Sequence, residues 1–204
     1  MTSILKADTI QDTDGNNIIN ENSNTITIGA SGDTITIPSG ATITNSGTAT
    51  GFGGITEADQ YRLTAEINSN ANPISSNWER VDTDGFGKIG TGISQSSGVF
   101  SFPSTGVYLV LLGVVGETNG DPFTVLLQTT TDDSSYNEAC VLNFGDAGNY
   151  PVQGFTSFMF DVTDTSTHKV SVRSNAMAGN SNTRIFGDTT ANYTHVTFTR
   201  LGDT

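Results

Sequence analysis

The residues able to do chemistry are few and far apart. The chain holds two histidines, His168 and His195, and one cysteine, Cys140. Hydrolysis by a serine or cysteine nucleophile needs a histidine beside it and a carboxylate to orient the ring. Serine and aspartate are plentiful, yet neither histidine sits near a GxSxG elbow or another nucleophile context. Two well-separated histidines and a lone cysteine also lack the ligand spacing of a zinc site. Carboxylates pair in turn-like stretches: Asp132-Asp133, Asp161 with Asp164, and Asp82 with Asp84 beside Gly85. Calcium would find oxygen ligands there, but solvated turns are the simpler reading, and no cofactor is expected. Asp12-Thr13-Asp14-Gly15-Asn16 opens like a calcium loop. Its glycine comes too early, and Ser23 stands where the bidentate Glu belongs. A turn between two short strands fits better. Gly51-Phe52-Gly53-Gly54 lacks the lysine of a phosphate loop. Trp78, Tyr136, Tyr150 and Tyr193 could stack on a glycan, as loop aromatics do, or pack in a core or interface. Cys140, in EACVLNF, reads as a small buried hydrophobe.

The elements that would position these residues are strands. Thr, Ser, Asn and Gly dominate the 204 residues, as in an all-β chain with many turns. Strand-like segments separated by polar turns fall at 61–67, 77–81, 98–102, 107–115, 123–130, 138–144, 155–162, 168–173 and 192–201. Short strands at this spacing indicate a sandwich or jelly roll. Thr56-Glu57-Ala58-Asp59 looks like a capping box and predicts one helical turn before the first of them. The longest apolar run, FSFPSTGVYLVLLGVV over Phe100–Val115, is apolar at consecutive positions. Such a strand needs cover on both faces: a sandwich core on one, a partner subunit on the other.

The first fifty residues are different. Residues 1–24 form a polar leader whose concentrated apolar groups are Ile4, Leu5, Ile18 and Ile19. These four are expected to anchor the leader. Residues 25–50 hold a weak repeat, TITIGASGD, TITIPSGA, TITNSGTA, with Ile26 and Ile28, Ile35 and Ile37, then Ile43. One chain cannot bury such Ile faces alone, so a short trimeric β-shaft is expected. Residues 51–59 are the Gly-rich hinge, and 60–204 the head.

The formal net charge of −13 repels phosphate and anionic lipid, so neither nucleic acid nor membrane insertion is expected. No segment approaches eighteen continuous apolar residues, and MTSILKAD has no apolar export region. Three copies would carry −39, three times −13. Salt screening would ease that repulsion.

Phe100-Ser-Phe-Pro-Ser-Thr-Gly-Val-Tyr-Leu-Val resembles the central signature of C1q/TNF-like domains. GFTSFMFDV from Gly154, HKVSVR from His168 and NYTHVTFTRL from Asn192 look like later strands of that jelly roll. The resemblance covers roughly residues 60–204. It implies a homotrimeric head around an apolar, aromatic axis. The leader, MTSILKADTIQDTDGNNIINENSNTITIG, resembles leaders of structural and tail-fibre-like proteins of marine bacteriophages, cyanophages among them. ITEADQYRLT is similar to the junction segment before their C1q-like heads. Together these imply a non-enzymatic virion protein. It would be a fibre-like appendage or capsid decoration, bound through its N-terminus to a capsid or tail component. The alternatives are a tail-fibre tip that recognises host surface carbohydrate and, from another class, a polysaccharide hydrolase.

Alternation assigns sides. Phe100, Phe102, Phe158, Phe160, Val196 and Phe198 are expected in the head core. Tyr108, Val110 and Leu112 are expected at the trimer interface, where Tyr can place its hydroxyl at a wet edge. Ile26, Ile28, Ile35, Ile37 and Ile43 are expected to line the same axis in the shaft.

Overall fold

The computed structural model describes residues 9–11, 13, 15, 17–23, 25–29, 31–44, 54–148, 150–177 and 183–204. Ile4, Leu5, the end of the expected shaft and the start of the hinge lie outside them. The chain divides into two compact units, Met1–Gly51 and Phe52–Thr204.

The first unit contains three short strands, β1 (Thr9–Gln11), β2 (Asn17–Asn22) and β3 (Thr25–Ile28), paired antiparallel in the order β1-β2-β3. The Asp-Gly stretch expected as a turn connects β1 to β2. From residue 33 to 38 the chain runs on without ladder bonds, so Ile35 and Ile37 are not in strands of the single chain.

The second unit is a two-sheet sandwich. Its strands are β4 (Ala58–Leu63), β5 (Trp78–Arg80), β6 (Ser94–Ser96), β7 (Val99–Ser101), β8 (Gly106–Thr118), β9 (Phe123–Thr130), β10 (Asn137–Phe144), β11 (Tyr150–Val162), β12 (Lys169–Asn175), β13 (Thr183–Ile185) and β14 (His195–Gly202). One sheet runs β10-β9-β12-β7-β6, the other β11-β8-β14-β4-β5, with β13 on β8. Antiparallel pairing with non-sequential neighbours is jelly-roll topology. No helix occurs among the described residues, so none there could cross a membrane. The expected helical turn at Thr56–Asp59 does not form. Instead the Glu57 carboxylate accepts the Thr91 and Gly92 amides, and β4 begins at Ala58.

The core lies between the sheets and is rich in aromatics. Phe100 meets Tyr61, Trp78 and Phe198 with ring centroids 5.4, 5.4 and 5.3 Å apart. Phe102 stands 4.6 Å from Tyr108. Centroid distances in this range favour edge and offset contacts. Of the residues expected in the core, Phe100, Phe102, Phe160, Val196 and Phe198 are buried, and Phe158 is half-buried against them.

β8 is an interior strand of its sheet, between β11 on one side and β14 and β13 on the other. Gly116 lets it pass close to β13: a Cβ there would lie 2.4 Å from the Arg184 carbonyl oxygen and 2.8 Å from the Phe123 ring.

Candidate functional site

The site is the outer face of the β11-β8-β14 sheet, built by the alternation of β8. Tyr108, Val110 and Leu112 are each 0% exposed, while Val107, Leu109 and Leu111 are half-exposed on the other side. The expected sides are therefore reversed. Cross-strand pairing gives the reason: Tyr108 lies opposite Phe160, and Val110 opposite both Phe158 and Phe198, so all three turn inward with the aromatic core. The Tyr108 hydroxyl needs no wet interface, since it donates to the Ser104 carbonyl 3.0 Å away in the preceding turn.

The outward residues form an apolar face. Leu109 lies opposite Met159, and Gly113 opposite both Phe155 and His195. Phe155 is 77% exposed and Met159 61%. Beside them a shallow groove of about 820 Å³ runs over Gly113. Leu111, Val115, Phe155, Tyr193 and His195 line it, with Gln153 and Asn192 as polar groups. Large exposed aromatic and aliphatic side chains gathered on one sheet face mark an interaction surface. Sequence reasoning missed Phe155 and Met159. Their signal was present in GFTSFMFDV, where they occupy the parity opposite Phe158 and Phe160.

His195 lies flat on this face, and Gly113 makes room for it. A Cβ at Gly113 would lie 2.5 Å from its ring. Its Nδ1 is buried without a hydrogen-bond partner. Burial pushes the imidazole below its ordinary pKa, since desolvation disfavours the charged form. His168 is elsewhere, stacked on Phe160 with its ring nitrogens on the Thr163 and Thr167 hydroxyls. Neither arrangement supplies a nucleophile.

Arg62 closes one end of the face. Fully buried opposite His195, it pairs with Glu79 at 2.7 Å and Asp82 at 2.8 Å. It also donates to the Thr83 hydroxyl and to the Thr189 and Thr190 carbonyls. A buried guanidinium persists only when so fully paired, and here it ties two loops to β4. Asp188 caps the second loop by accepting from the Thr190 hydroxyl and from the Thr190 and Ala191 amides, which lowers its pKa to about 2.

The remaining candidates are structural. Asp132 accepts from the Ser134 and Ser135 amides, which hold its carboxyl well below the usual range. Asp164 accepts from the hydroxyl and the amide of Ser166, which also lower its pKa. Among the described residues no three His, Cys, Asp or Glu converge as metal ligands. Trp78 packs on Phe100 and donates its indole N–H to Ile74, so it is not a glycan platform. Tyr136 is half-buried, while Tyr150 and Tyr193 stay open at 73% and 43%. Cys140 is a free, half-buried thiol whose Sγ lies 3.3 Å from the Ser157 carbonyl. In the first unit, Ile18 and Ile19 of the expected anchor and Ile26, Ile28, Ile35, Ile37 and Ile43 of the expected shaft are all exposed.

No family model and no curated protein sequence matches the chain. Solved structures do. Eiger TNF from S. frugiperda superposes with a TM-score of 0.55 at 15% identity, covering 72% of this chain and 93% of that one. Murine APRIL superposes at 0.54 and 10% identity, covering 71% and 98%. The PRD1 vertex protein P5 overlaps more loosely, with a TM-score of 0.44 at 17% identity, covering 74% of this chain and 100% of that one. At these identities the likeness is one of fold: the second unit is a TNF/C1q-like jelly roll.

Proposed function

We propose that this chain is a non-enzymatic structural protein of a bacteriophage virion. It acts as a homotrimeric fibre-like appendage or capsid decoration, held to a capsid or tail component by its leader. The observation that carries the homotrimer is the uncovered outer face of β8 and β11, with Leu109, Leu111, Phe155 and Met159 beside the groove at His195. A sheet flanked by such side chains gains by burial against another copy, at roughly 25 cal/mol per Å² of apolar surface removed from water. The TNF/C1q-like fold, whose members the sequence resemblance describes as trimers, agrees with that surface. The virion assignment is supported by the resemblance of residues 1–29 to marine phage leaders. Imaging of purified particles with antibody against the head tests it. Label on the particle surface is expected, and particles devoid of the protein would contradict the assignment.

A receptor-binding tip is the second reading, supported by the open Tyr150 and Tyr193 rings. A glycan array probed with the full chain separates the two. Selective binding that is lost in Tyr150→Ala or Tyr193→Ala favours the tip.

A further inference from the structure

The first unit has strands but no interior. None of its described side chains is buried, and Ile10, Ile18, Ile19, Ile26, Ile28, Ile35, Ile37 and Ile43 are all exposed. A sheet of three short strands needs a covered apolar face to be stable. The register shows which face that is. Ile10 lies opposite Ile19, and Ile19 opposite Ile28. Directly opposed residues share a face, and Ile26, two residues before Ile28, shares it too. Thr27, between Ile26 and Ile28, points to the opposite side, whereas Ile18 falls at the bulge between the Ile10–Ile19 and Gln11–Asn17 pairs, where alternation is interrupted.

We infer that the row Ile10–Ile19–Ile28, with Ile26, is a contact between copies of this chain, and that Thr27 looks away from it. This rests on the homotrimer reading. It moves Ile19 out of the anchor and into the self-association surface.

Three observations favour another copy as the occupant. Residues 9–51 contain no aromatic residue, no lysine and no arginine, whereas binding energy at specific interfaces between different proteins concentrates in Trp, Tyr and Arg. Residues 25–50 contain one charged residue, Asp33, in a chain of net charge −13. Copies can therefore approach closely here without the repulsion their heads carry. The segment is also continuous with a head that would hold three leaders at high effective concentration, and a uniform aliphatic row is complementary to itself about a symmetry axis.

Cysteine cross-linking of the full chain tests the inference. In a Cys140→Ser background, Ile19→Cys, Ile28→Cys and Thr27→Cys are oxidised with copper phenanthroline and run on a non-reducing denaturing gel. Ile19→Cys and Ile28→Cys should give a covalent-dimer fraction several-fold above Thr27→Cys. Equal yields, or a higher yield from Thr27→Cys, would overturn it. Native mass measured on the same samples separates the two levels. A trimer without cross-links at Ile19 or Ile28 defeats this inference and leaves the homotrimer standing, whereas a monomer defeats both.

Discussion

At the scale of single residues, His195 sets a test of pH dependence. Its folded pKa is depressed below the ordinary 6.5 by burial, so the unfolded chain binds the proton more readily. The stability this adds is fully present above about pH 6.5, falls as pH drops below it, and is lost once pH passes the folded pKa. Thermal melts of His195→Gln should therefore vary less between pH 7 and 5 than the parent. Equal slopes would show that the imidazole is not desolvated. Arg62 sets a second test. Arg62→Ala leaves the Thr189 carbonyl and Glu79 without the guanidinium donor, at a cost of about 3 kcal/mol. Arg62→Lys should restore little, because one ammonium cannot reproduce the guanidinium fork. Urea denaturation measures both. Gly116→Ala should cost roughly 1–3 kcal/mol, since the obstacle includes the backbone oxygen of Arg184, which cannot rotate aside.

At the scale of elements, β8 separates core from surface by parity. Val110→Asp buries an unpaired carboxylate in the aromatic core and should unfold the head, costing more than about 4 kcal/mol. Leu111→Asp and Phe155→Asp place the charge on the outer face and should leave a folded protomer that no longer associates. Circular dichroism with sizing distinguishes these outcomes, and a folded Val110→Asp monomer would restore the sides expected from sequence. The strands themselves were legible. β9, expected at 123–130, runs Phe123–Thr130, because FTVLLQTT is β-branched and apolar between polar turns. Which face of β8 looks inward was not legible. Residues 107–112 are apolar on both parities, so alternation defines two sides without naming them. The side is set by pairing with Phe158, Phe160 and Phe198, each far along the chain. β13 escaped because Thr183–Ile185 is too short to carry a period. The helical turn failed because the capping-box carboxylate, Asp59, is engaged by the Arg80 guanidinium and the Ile93 amide, both far along the chain.

At the scale of the whole molecule, assembly sets apolar burial against like charge. One face of the head and one face of the leader sheet call for cover, while each chain brings −13. Screening shortens the Debye length from about 10 Å at 0.1 M to about 3 Å at 1 M salt, so association should strengthen with ionic strength. The measurement that bears most directly on the proposed function is the solution mass of the full chain by sedimentation equilibrium in about 0.5 M salt, conditions that screen exposed charge. Three times 21.4 kDa is predicted. A monodisperse monomer across the concentration range would contradict it.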